Sequence, residues 1–230
     1  MPTPPPADRL RPTPPTDLRR SGRSGVRSAV REQLAPVAVL VAGTAGLLAL
    51  GIATGQANWP VYALVVLGGA AVVARIHLRV RLSAPTIWGL TAFALGHLAG
   101  GMVPVGGGVL YQLWLVDDVL RYDNLQHAVG FGFVGRAIWE TLSHRLAPPE
   151  RDRPGIAMWI VALGAAAAGA VNEIVEYVLT LVLPEHQVGG YDNTARDLIA
   201  NLLGGLAVGW WTRRRTAVET FPRVRGDTPR

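Results

Sequence analysis

The chain has 230 residues, a formal net charge of +6 and no cysteine, which excludes disulfides and thiolate metal ligands. Half of the residues are hydrophobic and only 17% are charged, and the charges lie in short blocks between long uncharged stretches, as is typical of membrane proteins. Every basic residue is an arginine, and these lie mostly beside apolar stretches, where they orient a membrane protein and contact anionic lipid. We therefore expect membrane lipids as partners and no nucleic acid.

Six apolar stretches predict an all-α, polytopic membrane bundle. Residues 1–33 are rich in proline and arginine and are predicted to form a disordered cytoplasmic tail. The first apolar stretch begins too far along for a signal peptide, so we interpret it as a retained anchor. The predicted spans are 34–57, 60–78, 86–105, 123–143, 156–183 and 194–211, together a transmembrane domain of residues 34–212. A basic cytoplasmic tail is predicted at 213–230.

Arginines are concentrated in alternate connecting segments. They are frequent in the N-terminal tail, after the second span, after the fourth span and after the sixth. Loops 55–59 and 184–193 have none, and 106–122 has only Arg121. By the positive-inside rule, both termini are cytoplasmic and the protein is a multi-pass protein of the cytoplasmic (inner) membrane.

Two further features concern packing and the outer surface. The stretch Val109–Val116 follows three glycines and is predicted to form a short interfacial or re-entrant helix. Glycines four residues apart allow close helix contact in lipid, and three such pairs are candidates: Gly51 with Gly55, Gly96 with Gly100, and Gly205 with Gly209.

Three predicted helices carry polar residues at helical spacing. The fourth span begins with Asp123 and His127, four residues apart on one face. The fifth carries Glu173 and Glu176, three apart. The sixth begins with a stripe of polar residues at intervals of four: Asn193, Asp197 and Asn201.

These residues are predicted to lie in one layer of the membrane. With a rise of about 1.5 Å per residue, His127, Glu176 and Asn201 all fall within about 10 Å of the outer ends of their spans. Neighbouring helices run in opposite directions, so unrelated residues would be distributed over both leaflets. Carboxylates at such depth must be protonated, paired or metal-bound inside the bundle.

The pattern predicts a site of carboxylates and imidazole. The candidate catalytic residues are Glu173, Glu176 and His127. The candidate metal ligands are Asp123, His127, Glu173, Glu176 and Asp197, which suit Zn²⁺, Mn²⁺, Fe²⁺ or Mg²⁺. The candidate partners that would orient these ligands are Asn201, Asp192, His97 and Arg196. If no metal ion is bound, the positive charge that balances the carboxylates would come from protonated His127, protonated His97, Arg121 or Arg196.

Structural roles compete with this interpretation. Asp123 with Gln126, and Thr194 with Asp197, resemble capping boxes that satisfy free N–H groups at a helix start. Capping does not explain two glutamates deep in a helix, for which the alternative is a proton-sharing network that fixes helix packing. Towards the other end of the fourth span, Arg136 and Glu140 are four apart and predict an intrahelical ion pair.

At these residues the chain resembles a known family. The motifs are Tyr122-Asp123 followed by His127, then Glu173-x-x-Glu176-Tyr177, then Tyr191-Asp192 through Asp197 to Gly204. They resemble the YjdF-like bacterial inner-membrane proteins of unknown function over about residues 120–209, with a fainter likeness to VanZ-like membrane proteins. The resemblance implies no reaction.

Three functions fit the pattern. The first is a metal-dependent hydrolase or transferase, or a binding protein, with a lipid or lipid-linked substrate at the outer leaflet. The second is a proton-coupled transporter, which ionisable residues in the cytoplasmic half would favour. The third is a non-catalytic envelope accessory protein. The sequence leaves the substrate and the oligomeric state open.

Overall fold

The computed structural model describes residues 17–147, 153–182 and 189–220, with side chains from residue 33 to residue 216 within those ranges. The chain divides into two compact units, Met1–Ala35 and Pro36–Arg230. Six α-helices account for most of the described residues. They are α1 (Asp17–Ala53), α2 (Trp59–Val80), α3 (Ala84–Met102), α4 (Tyr122–Ser143), α5 (Pro154–Val182) and α6 (Tyr191–Thr220).

The helices begin and end at recognisable signals. A proline occupies the first turn of α2 and of α3, where its missing N–H costs no helical hydrogen bond. Helix α2 ends at Arg81, which has a positive φ of 53° and donates its N–H to the His77 carbonyl oxygen. Each of the six predicted spans corresponds to one helix. Most of the observed helix ends lie within four residues of the predicted ends.

The terminal helices are longer than predicted. Helix α1 begins at Asp17, so residues 17–33, predicted to be disordered, are helical; residues 1–16 lie outside the described part. No proline interrupts the chain between Asp17 and Pro36, which removes the main obstacle to a helix there. Helix α6 likewise continues through the arginine triplet of the predicted tail to Thr220, and residues 221–230 lie outside the described part.

Three helices are long and apolar enough to cross a membrane, by length and composition, among the described residues: Gln33–Ala53, Trp59–Val80 and Pro154–Val182. Of the apolar windows in the first two, only 11% and 6% of the residues are buried within the protein. Large aliphatic side chains on α2 are therefore exposed, including Leu64, Leu67 and Val72. Such a surface is expected where acyl chains replace water as solvent.

Helices α3, α4 and α6 are less apolar because they carry the buried polar residues. Helix α4 is central: it packs against α3, α5 and α6, and α5 packs along α6. Buried polar side chains lie on all three of these less apolar helices, for example Thr86, His127 and Asp197. A polar helix is tolerated inside a bundle because its neighbours satisfy its side chains.

The segment between α3 and α4 is not the helix predicted for Val109–Val116. It forms two short hairpins, β1 (Pro104–Val105) with β2 (Gly108–Val109) and β3 (Trp114–Val116) with β4 (Leu120–Arg121). A single 3₁₀ turn, Leu110–Gln112, lies between them. Gly106 and Gly107 have positive φ and make the first hairpin turn, which closes the chain back on itself before a helix can begin.

Glycines bring the main chains of α4, α5 and α6 close together. A Cβ atom at Gly204 of α6 would overlap the main chain of α4 at Ala128. A Cβ atom at Gly135 of α4 would likewise meet the main chain of α5 at Val161. Backbone atoms cannot move aside as a flexible side chain can, so these contacts require glycine.

The three predicted glycine pairs have different roles. Gly205 and Gly209 approach the main chain of α5, as expected for helix packing. Gly96 and Gly100 instead leave room for side chains, those of Gln126 and Tyr111. In the third pair, the second glycine, at residue 55, follows the end of α1 with a positive φ of 73° and faces open space.

We expect Gly204→Ala to lower the free energy of unfolding by about 1–3 kcal/mol, the usual cost of overpacking a close contact. The matched control is Gly68→Ala on α2, where the added methyl group meets open space and stability is retained. Thermal unfolding of the detergent-solubilised proteins measures both. Equal melting temperatures for the two variants would contradict the close contact between α4 and α6.

Candidate functional site

The predicted polar residues lie together at one end of the helical bundle. The first two turns of α4 and α6 supply Asp123, His127 and Asp197, and the C-terminal half of α5 supplies Glu173 and Glu176. Because α5 runs opposite to α4 and α6, its late residues face their early ones. The structure thus brings together all five side chains that the sequence analysis named as candidate metal ligands.

His127 lies between two carboxylates from different helices. Its Nε2 atom is 3.6 Å from Asp123 Oδ1, one turn earlier on α4, and its Nδ1 atom is 3.6 Å from Glu173 Oε1 on α5. The side chains of His127 and Glu173 are 7% and 6% exposed. Both separations exceed the 2.7–3.2 Å of a typical N–H···O hydrogen bond. His127 therefore lies close to both carboxylates without a direct hydrogen bond to either one.

Several buried polar atoms of this cluster have no hydrogen bond within the described part of the chain. They are His127 Nδ1, both carboxylate oxygens of Glu173, and both side-chain polar atoms of Asn201. Glu173 lies at ion-pair distance from His127 but accepts no hydrogen bond of 3.5 Å or shorter among the described residues, and such incomplete pairing of a buried charge is costly. A ligand between His127 and Glu173 would remove that cost.

Asp197, in contrast, is fully hydrogen-bonded. It is completely buried, and its two oxygens accept from Asn124 Nδ2 at 2.8 Å and from Asn193 Nδ2 at 2.5 Å. The same Asn193 nitrogen donates to Asp123 Oδ2 at 3.2 Å. Arg121 Nη1 donates to Asn193 Oδ1 at 3.4 Å, which connects a guanidinium to both aspartates through one amide.

Glu176 and His127 line an open cavity of about 130 Å³. Glu176 accepts a hydrogen bond of 2.6 Å from Asn172, one turn earlier on α5. The polar part of the wall is formed by Asn58, Tyr62, His97, Tyr111, Asp123, His127, Asn172, Glu176 and Asn193. Apolar side chains complete it, so the cavity combines an acidic end with a hydrophobic wall.

An aromatic cluster forms the wall opposite α5. His97 Nδ1 and the Tyr111 hydroxyl share a hydrogen bond of 2.5 Å, and the Tyr62 ring lies 4.9 Å from the His97 ring. Burial raises the pKa of the Tyr111 phenol well above its ordinary value, so this hydroxyl keeps its proton. Tyr62 is a cavity residue that the polar pattern of the sequence did not indicate, although it is the one aromatic residue in the predicted span 60–78.

Two groups of side chains could hold a metal ion among the described residues. One is Asp123, His127 and Asp197; the other is His127, Glu173 and Glu176; within each, one donor atom per residue lies within 4.8 Å of the others. Two donors about 2.1 Å from one tetrahedral ion lie about 3.4 Å apart, close to the 3.6 Å observed. The second group fits better, because two of its three residues, His127 and Glu173, carry the donor atoms without hydrogen bonds among the described residues.

Two predicted orienting residues lie elsewhere. Asp192 and Arg196 pair with each other at 2.8 Å, and the Asp192 side chain is 80% exposed. Arg196 also donates to the Asp118 carbonyl oxygen, outside the cluster. The contacts that Asp192 and Arg196 make thus lie outside the acidic cluster, and their role as orienting partners stays a prediction.

The predicted capping boxes are also absent. Gln126 donates to the Phe93 carbonyl oxygen on α3, and it is Asn124 that accepts the N–H of Arg121 at the start of α4. Helix α6 begins at Tyr191, so Asp197 lies well inside it. Capping therefore accounts for neither aspartate. Of the remaining orienting candidates, His97 lines the cavity, and Asn201 fits against Gly169, one turn before Glu173.

A second buried polar cluster lies nine residues further along α4, about 13 Å away by helical rise. The predicted ion pair is present: Arg136 Nε is 3.1 Å from Glu140 Oε1. It is also tied to other helices, since Arg136 donates to Thr86 and Thr212, and Glu140 accepts from Ser83 and Thr86. The sequence indicated the pair but not these cross-helix partners, which lie 50 or more residues away.

The comparisons with known proteins agree with this architecture. The model of a family described as predicted membrane proteins, DUF2238, matches residues 35–217. This is consistent with the YjdF-like resemblance, whereas the VanZ-like likeness stays a prediction. Neither the curated proteins nor the solved structures contain a match. Because the family model covers most of the sequence, including every helix of the site, the chain belongs to the DUF2238 family of predicted membrane proteins.

Proposed function

We propose that this protein holds a divalent metal ion between His127, Glu173 and Glu176 and acts on a lipid or lipid-linked substrate at the outer leaflet. The observation that carries the proposal is the set of buried donor atoms on Glu173 and His127 that have no hydrogen bond. An acidic cluster alone would not suffice, since Asp197 shows that carboxylates in this bundle can be satisfied by amides.

Asp123 completes the arrangement as an orienting group. A metal-bound histidine usually donates its other ring N–H to a carboxylate, which fixes the ring and the tautomer. Asp123 lies beside Nε2, on the opposite side of the ring from Glu173. Asn193 in turn holds Asp123 and Asp197 together.

The donor set indicates the range of metals and reactions. One imidazole and two carboxylates without thiol suit Zn²⁺, Mn²⁺, Fe²⁺ or Mg²⁺. Such an ion activates water or polarises an ester or phosphoryl oxygen, which is the chemistry of hydrolases and transferases. Glu176 faces the cavity and would accept a proton from the attacking group.

The proposed topology is six spans with both termini in the cytoplasm, in the inner membrane. The alternation of arginine-rich and arginine-poor segments supports it. With this topology, the N-terminal ends of α4 and α6 and the C-terminal end of α5 lie on the outer side, and the metal site lies just below the outer surface.

Single cysteines test this topology, because the chain contains none of its own. We expect Asp192→Cys, at an exposed position, to react with a membrane-impermeant maleimide in intact cells. Arg213→Cys, also exposed, should react only after the membrane is permeabilised. The reverse pattern would place the site at the inner leaflet.

Elemental analysis of protein purified in mild detergent tests the metal site. We expect about one divalent ion per chain in the wild type and none in His127→Ala or Glu176→Ala. Wild-type protein without metal would leave the cluster as a proton-sharing network and favour an accessory role.

A proton-coupled transporter is the second candidate, because Arg136 and Glu140 place ionisable groups in the other half of the bundle. The eight residues of α4 between His127 and Arg136 carry no ionisable group, however, and both members of the pair are bonded to neighbouring side chains. A pH-dependent flux in proteoliposomes that Glu140→Gln abolishes would favour transport over a metal centre.

A further inference from the structure

The cavity at the acidic cluster is bounded on one side by two helices that do not pack together. Helix α2 packs against α3 and touches α4, whereas α5 packs against α4 and α6. Within the described residues, α2 and α5 have no extended contact. Both nevertheless contribute to the cavity wall, α2 with its first two turns and α5 with its last turns.

The part of the cavity wall that α2 and α5 form includes residues of the outward-facing helix surfaces. Both α2 and α5 are candidate spans, so their outward faces contact acyl chains. Val61 and Val65 of α2 and Leu179 of α5 line the cavity, and Val65 is 50% exposed. An apolar chain that lies between α2 and α5 would contact these three apolar side chains.

The inner end of the same cavity disfavours an anionic group. Four carboxylates lie in the two donor groups around His127. The hydrogen-bond network of the described residues brings one guanidinium, Arg121, to them through Asn193. With a divalent ion bound, the four carboxylates still outnumber the positive charges of the ion and of Arg121, so a further negative charge would be repelled, whereas aromatic rings beside carboxylates favour a cationic or neutral polar group.

We infer that the cavity takes up a membrane lipid whose polar head carries no net negative charge. The head lies at Glu176 and His127, and one acyl chain leaves between α2 and α5. This inference rests on the proposed function, because it names the class of substrate for the metal site, but it can be tested independently of the metal.

The experiment uses the full-length protein in vesicles that contain a lipid with a diazirine near the head of one acyl chain. One preparation carries a phosphoethanolamine head and the other an anionic phosphoglycerol head. After irradiation, mass spectrometry measures the labelling of peptides that contain His97 or Glu176. We expect the phosphoethanolamine lipid to label these peptides about tenfold more than the phosphoglycerol lipid, a factor that corresponds to 1.4 kcal/mol.

A matched pair of variants tests the route of entry. Val65→Trp places an indole in the opening and is expected to reduce labelling of the cavity peptides about tenfold. Leu64→Trp is the control, because Leu64 is the adjacent residue, is 73% exposed and does not line the cavity. Melting temperatures and bound metal, measured on the same samples, show that both variants are folded and loaded.

The outcomes separate the two proposals. Equal labelling in Val65→Trp and Leu64→Trp, with both proteins folded, would overturn entry between α2 and α5. Equal labelling by the two head groups would overturn the charge selection. If the wild-type protein contains no metal and its cavity peptides are still labelled, the metal centre is ruled out and the lipid site is retained.

Discussion

Protein with Glu173→Gln is expected to lose its bound divalent ion completely while remaining folded. The substitution keeps the shape of the side chain and removes its charge, so the donor that faces His127 Nδ1 at 3.6 Å becomes a poor ligand. The buried amide does not incur the penalty of a poorly paired charge, so the melting temperature is expected to be at or above that of the metal-free wild type. Elemental analysis and thermal unfolding in detergent measure the two quantities.

Two further aspartate variants separate ligands from other acidic residues. Asp192→Asn alters an exposed carboxylate on α6 and is expected to leave metal content unchanged. Asp123→Asn alters the group that orients His127 and is expected to weaken metal affinity by about 10- to 100-fold, as for other orienting partners. Complete loss in Asp123→Asn with full retention in Glu173→Gln would instead assign the ion to the group containing Asp123 and Asp197.

Arg136→Met should lower the free energy of unfolding by about 3–5 kcal/mol, the usual cost of breaking a buried ion pair. Methionine fills similar space but leaves Glu140 charged and deprived of the guanidinium 3.1 Å away. It also removes the hydrogen bonds to Thr86 and Thr212, which connect α4 to α3 and α6. Denaturant titration of the detergent-solubilised protein measures the loss.

The double variant Arg136→Met with Glu140→Gln shows whether an isolated charge causes the loss. Glutamine keeps an oxygen that accepts from Ser83 and Thr86, so the double variant should recover a substantial part of the stability. Arg145→Gln, at a position outside this cluster, is the control for loss of positive charge. No recovery in the double variant would indicate that stacking of the Arg136 guanidinium on the Trp211 ring dominates instead.

The sequence predicted those features that depend on the residues of one short stretch of chain. Apolar stretches of about 20 residues predict helices because an apolar segment of that length can satisfy its backbone only within itself. Spacings of three and four residues place Asp123 beside His127 and Glu173 near Glu176 because they complete one helical turn. The ion pair of Arg136 and Glu140 followed from the same rule and is confirmed.

The sequence did not predict contacts that depend on another helix. Asp192 and Asp197 looked similar as acids at one helix start, but five residues turn them about 140° apart on the helix. Asp197 is thus buried against α4, while Asp192 faces outward and pairs with Arg196. The connection after α3 likewise became two hairpins, since positive φ at two glycines reverses the chain.

The sequence by itself determined the helices, their apolar surfaces and the pairs of polar residues within single helices, because these depend on periodicity along one segment. Only the tertiary structure decided that His127 lies between Asp123 and Glu173, and that Asp197 is satisfied by amides while Glu173 is not. The reason is that the hydrogen bonds of a buried polar side chain depend on the side chains that neighbouring helices place next to it. Those neighbours lie far away in the chain.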